Sequence, residues 1–166
     1  MPGLNETSLA TYQNFDGSNT TMLLRSFSCK PAKNLTLTGG FGGSTNFHGT
    51  NSFVLEGKAK YNADEHFSVQ LRSRNSFASG NSSSQLRLSP GYKTDVSDKV
   101  SIYANPYVAA KYKFNSQELT TDIGAFAGAT YKIAPNLSAS LEGQKYNGLD
   151  GGAENWGVNA TLNYTF

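Results

Sequence analysis

The chain has one cysteine, Cys29, so it forms no intrachain disulfide. No stretch approaches the roughly 18 apolar residues that a membrane-spanning helix needs. The net charge is only +2, too small a bias to imply a nucleic-acid partner. Charged residues make up 16% of the 166 residues, and two histidines leave few candidates for acid–base or metal chemistry. No helical periodicity of useful length is present, and no secretory signal opens the sequence; export then implies a signal already removed. What remains is rich in Ser, Thr, Asn and Gly. Such a composition fits either a disordered chain or a β-barrel with polar residues spread along its strands. An aromatic content of 12% excludes disorder, because disordered chains lack aromatic residues.

The hydrophobic period is two almost everywhere, the signature of β-strands. Phe53, Leu55, Gly57, Ala59 and Tyr61 alternate with Val54, Glu56, Lys58 and Lys60. Phe67, Val69 and Leu71 alternate with Gln70, Arg72 and Arg74, and Ile123, Ala125, Ala127, Ala129 and Tyr131 alternate with Asp122, Gly124, Phe126 and Gly128. The breaks are of two kinds in strict alternation. Short ones, such as K-P-A-K-N and N-A-D-E-H, recur between longer Gly/Ser/Asn-rich ones, such as S-F-A-S-G-N-S-S-S. This weak repeat of turn, strand, loop and strand predicts about ten strands (8–12), near 8–15, 21–29, 34–42, 52–61, 66–76, 84–93, 99–114, 118–133, 136–146 and 155–166. The segment 99–114 reads as the longest. An open sheet of that size leaves two bare edges, so the pattern predicts one all-β domain over 1–166, a closed antiparallel up-and-down barrel.

Alternation alone does not say which face points inward. The polar face carries charges that pair across strands: a symmetric turn between Tyr61 and Phe67 sets Lys60 against Ser68, Lys58 against Gln70 and Glu56 against Arg72, and Lys111 falls opposite Asp122. Paired charges suit a closed polar lumen, where an unpaired charge is costly; on a solvated surface they are ordinary cross-strand pairs. Aromatics gather where apolar faces meet the breaks, as in the girdles of a lipid-facing band. On this parity the lumen is lined by Glu56, Lys58, Lys60, Gln70, Arg72, Arg74, Arg87, Tyr103, Tyr107, Lys111, Lys113, Asp122, Glu142 and Gln144. Seven cations against three carboxylates leave an excess of four positive charges. An open lumen of this kind favours small anions, although a barrel of about ten strands is narrow enough for side chains to fill.

The chain closes on W-G-V-N-A-T-L-N-Y-T-F, with Trp156, Val158, Ala160, Leu162, Tyr164 and Phe166 at alternate positions and nothing after the final Phe. This strand resembles the C-terminal strand of bacterial outer-membrane β-barrel proteins, which typically ends on Phe with an aromatic two residues earlier. The resemblance implies a lipid bilayer around the barrel. It also implies a barrel-insertion machinery that reads Trp156, Val158, Leu162, Tyr164 and Phe166, and a monomer in the outer membrane. An even strand count places both termini on the periplasmic side. It leaves the job open between a porin-like narrow pore and a structural or adhesion barrel acting through its loops. The alternative is a soluble β-barrel that binds a small apolar ligand in its interior.

Some barrels of this kind are lipid-modifying enzymes with a His near the outer rim. Here His48 lies in a loop near Ser44, Thr45 and Asn46, and His66 beside Asp64 and Glu65, but no nucleophile–base–orienter set stands out. The expectation is no enzyme, no cofactor and no metal. Two residues strain the pattern. Arg25 shares its face with Leu23, Phe27 and Cys29, so it either avoids the bilayer centre or marks a bulge that turns Leu24 to the lipid. Pro106 interrupts a strand, which predicts a bulge or a position beyond the membrane.

Overall fold

The computed structural model describes residues 5–15, 18–46, 49–149 and 154–166. They form ten strands: β1 (Asn5–Phe15), β2 (Ser18–Ala32), β3 (Leu35–Asn46), β4 (Asn51–Asn62), β5 (Phe67–Phe77), β6 (Ser83–Asp95), β7 (Val100–Lys113), β8 (Glu118–Ala134), β9 (Leu137–Gly148) and β10 (Glu154–Thr165). Each pairs antiparallel with its chain neighbours, and β10 closes on β1 from Thr7↔Thr165 to Phe15↔Gly157. The barrel is all-β and up-and-down, and its closure leaves no strand at a free sheet edge among the described residues. The longest strand is β8 with 17 residues, not β7 with 14.

The period of two decides the faces. Leu23, Leu86, Leu141 and Ile123 are more than half exposed on the outside, whereas the buried apolar residues are few: Met22, Leu24, Val54, Tyr107 and Ala109. A soluble barrel needs the opposite arrangement. Aromatics ring both ends of the apolar band. At the end with the short turns, Phe67 meets Tyr92 at 5.1 Å and Tyr164 meets Phe166 at 4.8 Å between ring centroids. At the loop end Phe53 stacks on Phe77 at 6.4 Å, and Tyr112 meets Phe114 edge-on at 5.4 Å. The start of β1 and the end of β10 lie together at the short-turn end, where Phe166 donates its N–H to the carbonyl of Glu6.

Two hairpins close differently from the sequence expectation. Between β4 and β5 the turn is centred on Glu65: Ala63 N–H donates to Phe67 O at 2.9 Å, and the Asp64 carboxylate accepts from the N–H groups of His66 and Phe67, both at 2.7 Å. Asp64 thus acts as a side-chain cap that moves the turn by one residue and the pairing by two. Lys60 therefore faces Gln70, Lys58 faces Arg72, and Glu56 faces Arg74. The same two backbone donors hold the Asp64 carboxyl below its usual range. Between β7 and β8 the ladder runs to Lys113↔Glu118, whose side chains pair at 2.9 Å, so Lys111 faces Thr120 and Asp122 faces Ala109.

Arg25 does lie on the outer face, and no bulge inverts it. The β1–β2 register is continuous from Asn5↔Ser28 to Phe15↔Ser18, and Leu24 points inward with 1% exposure. The arginine is accommodated by pairing with Glu6 near the barrel end and by lying 5.9 Å from the centroid of the Phe27 ring.

Pro106 produces no bulge either. The β6–β7 register is the same at Leu88↔Val108 and at Tyr92↔Ala104, but three pairs between them are missing. That register sets Pro90 directly against Pro106. Neither has an N–H, so the two hydrogen bonds of that pair vanish and the flanking pairs lose their definition. Both prolines remain paired on their other sides, with Val69 and with Ala125. The wall thus carries a seam where the ladder is open but in register. Ser89, buried beside it, has no partner for its Oγ among the described residues.

Candidate functional site: the barrel interior

The inward faces of β4, β5 and β6 bring the basic residues together. Glu56, buried, accepts from Lys58 at 2.6 Å and from Arg74 at 2.5 and 2.7 Å. Beside this group, Lys58, Arg72 and Arg87 stand directly opposite one another on three successive strands. Like charges in register destabilise a sheet, and this row is only partly offset. Arg72 donates to Gln85 at 2.8 Å, and Arg87 lies 4.0 Å from the centroid of Tyr107 and 5.7 Å from that of Phe126. The Nε atoms of both arginines are buried without a partner among the described residues.

The aromatic wall next to it depends on glycine. Tyr107 and Tyr103 leave β7 and cross β8 to reach β9. Gln144 donates to the Tyr107 hydroxyl at 2.5 Å, and the Tyr103 hydroxyl donates to Glu142 at 3.2 Å. They cross over Gly124 and Gly128, where any Cβ would stand 2.7 Å or 2.8 Å from the tyrosine. Asn159 of β10 donates to the other oxygen of Glu142 at 2.7 Å. Charge and aromatic surface are thereby held by directed bonds from β4 to β10.

The opposite side is built by packing. Leu24 and Val54 are buried across Gly42, with Met22 and the half-buried Leu9 against them. A Cβ on Gly42 would lie 1.9 Å from the Leu23 carbonyl oxygen, so only glycine allows β2 and β3 to approach there.

Between these walls lies a cavity of about 550 Å³. Of the residues expected from sequence to line the lumen, Lys58, Arg72, Arg74, Arg87, Tyr103, Tyr107, Lys111, Asp122, Glu142 and Gln144 line it. Glu56 lies just behind, between Arg74 and Lys58. Lys60 and Gln70 are half-buried nearer the short-turn end and do not border the cavity, and Lys113 is tied to Glu118 at the loop rim. Sequence reasoning missed Leu9, Thr11, Met22, Val54, Gln85 and Asn159, which also line it. Their parity was readable, but they carry no charge to draw notice. The cavity lining reaches Thr20, Ser44, Ser76 and Ser83 near the loop end; Ser101, towards the short turns, is buried and outside it. On the last strand Trp156, Val158, Leu162, Tyr164 and Phe166 all face outward and exposed.

His48 lies outside the described residues. His66 is a turn residue whose Nδ1 is 3.0 Å from the Lys93 carbonyl and whose Nε2 is 3.5 Å from Glu65. Among the described residues no group of three His, Cys, Asp or Glu side chains converges as a metal site.

No family model and no curated protein matches the sequence. Solved structures match the fold. A KdgM porin is 17% identical with a TM-score of 0.58, covering 96% of this chain and 99% of that one. A second, described as the KdgM porin in complex with disordered oligogalacturonate, is 16% identical with a TM-score of 0.57, over 96% and 99%. A NanC porin is 10% identical with a TM-score of 0.52, over 96% and 98%. The chain has the fold of these bacterial outer-membrane porins, matched end to end.

Proposed function

We propose that the protein is a non-enzymatic outer-membrane porin whose narrow, basic lumen favours small anionic solutes. The observation that carries this reading is the row Lys58–Arg72–Arg87, three cations in register beside the cavity. Such a row works against stability, and a solute's carboxylates would relieve it. The oligogalacturonate held by one structural relative is an acidic oligosaccharide, so acidic sugars are the natural first solutes to try. In this reading the lipid bilayer meets the outer apolar band and both termini are periplasmic. The barrel works as a monomer, and the insertion machinery recognises the strand ending in Tyr164 and Phe166.

A second reading, a closed barrel acting through its loops, draws support from the packing of Leu24, Val54 and Ser101 inside the barrel. Single-channel recording in planar bilayers separates the two. The pore reading expects small, anion-preferring conductance steps; a silent membrane at high protein load contradicts it.

A further inference from the structure

Charges of both signs border the cavity without meeting. On β5 and β6, Arg72 donates to the amide oxygen of Gln85, and Arg87 rests on the Tyr107 ring; neither has a carboxylate partner among the described residues. On β9, Glu142 accepts from the Tyr103 hydroxyl and the Asn159 amide, both uncharged, and pairs with no cation among the described residues. All three side chains line the cavity, and Asp122 of β8 adds to its negative side. In the ring of ten strands, β9 lies three strands from β6 and four from β5. The charge of Glu142 acts on both arginines across that gap, yet no ion pair closes it.

The separation is built into the wall. Tyr103 holds Glu142 by reaching across β8 over Gly128, and Tyr107 supports Arg87 from the next inward-facing position of β7. A charge left unpaired in a partly buried place is costly. One molecule offsets both costs if it brings an anion to the arginines and a cation to the carboxylate.

We infer that the cavity is a binding site for compact anions that carry an ammonium group beside their carboxylates, the acidic amino acids being the simplest of this class. The inference rests on the basic-lumen reading and narrows it. In a lumen that is merely basic, affinity follows net negative charge. With Glu142 facing the arginines, a solute that gains an ammonium binds more tightly although its net negative charge is smaller. The two readings therefore rank one pair of solutes in opposite order.

Isothermal titration calorimetry on the refolded barrel in detergent tests it, with glutamate and 2-hydroxyglutarate at equal ionic strength. The two share a carbon skeleton and both carboxylates; one has an ammonium where the other has a hydroxyl. Glutamate is expected to bind several-fold more tightly, because a hydrogen bond between charged groups outweighs one screened unit of net charge. Glu142→Gln is expected to reverse the order. That change keeps the size and an acceptor for Tyr103, and a turned Asn159 amide presents its unpartnered Oδ1 to the new N–H group. Arg87→Gln is expected to weaken both solutes. Heat-modifiable gel mobility verifies that each variant has closed its barrel, and the native ranking decides by itself where one has not. Binding of 2-hydroxyglutarate as tightly as glutamate or more so, no binding of either, or an order unmoved in the folded Glu142→Gln barrel overturns the proposal. Of these, tighter binding of 2-hydroxyglutarate leaves the basic lumen standing. Glutamate-first binding in a chain that conducts no ions would instead refute the pore and leave the site standing.

Discussion

The apolar wedge inside β1–β4 and the polar network that runs from Glu56 of β4 to β10 are held by different physics. On the first side Leu9, Met22, Leu24 and Val54 pack together across Gly42. On the second, Arg72, Arg74, Arg87, Tyr103 and Tyr107 are fixed by bonds to Gln85, Glu56, Glu142 and Gln144. Packing tolerates change in identity but not in volume, whereas a directed network tolerates little change in chemistry. The barrel uses the tolerant side to fill space and the exacting side to hold charge at a defined place.

The comparison is tested most severely at Glu56, whose side chain is 3% exposed. Glu56→Gln keeps the volume but leaves Lys58 and Arg74 without their counter-ion. Breaking a buried pair costs about 3–5 kcal/mol. Urea unfolding in lipid vesicles should show that loss, and any surviving channel should prefer anions more strongly. On the packed side, Gly42→Ala drives a methyl into the Leu23 carbonyl and should cost about 3 kcal/mol or more, read as loss of the heat-modifiable band. Gly57→Ala is the control, because nothing lies within 4 Å of a Cβ there, and its change should stay within about 0.5 kcal/mol.

The β6–β7 seam sharpens the contrast between a wall held by bonds and one missing them. Replacing Pro90 and Pro106 together by Val restores two donors worth about 1 kcal/mol each, partly offset by a looser unfolded chain. Hydrogen–deuterium exchange in the β6 and β7 peptides should slow. Unchanged exchange would show that the open ladder has another cause. The smallest effect concerns Asp64. Its folded-state pKa is depressed, so its contribution is present above the unfolded value of about 3.9 and is lost as pH falls through the folded one. Asp64→Asn should weaken the turn slightly at neutral pH and flatten the stability loss below about pH 4.

The strand pattern, closure and outward apolar face were legible because a period of two with alternating short and long breaks admits little else. Register was less so. A cap such as Asp64 moves a turn by one residue, and pairing by two, without altering the hydrophobic pattern, so Arg74 rather than Arg72 meets Glu56. The apolar wedge also escaped notice. Met22, Leu24 and Val54 sit at inward parity, but alternation in β2 is blurred by apolar residues on both faces, Leu23 beside Leu24. The facing of Pro90 and Pro106 needed the β6–β7 register, which no local signal supplies.

The central claim is that the row Lys58–Arg72–Arg87 governs what enters the lumen. Reversal potentials in planar bilayers under a potassium chloride gradient test it most directly, comparing the native chain with Arg72→Gln and Arg87→Gln. The account predicts anion preference in the native barrel and a shift towards cations in each variant. A native barrel that prefers cations, or variants with unchanged reversal potentials, would contradict it.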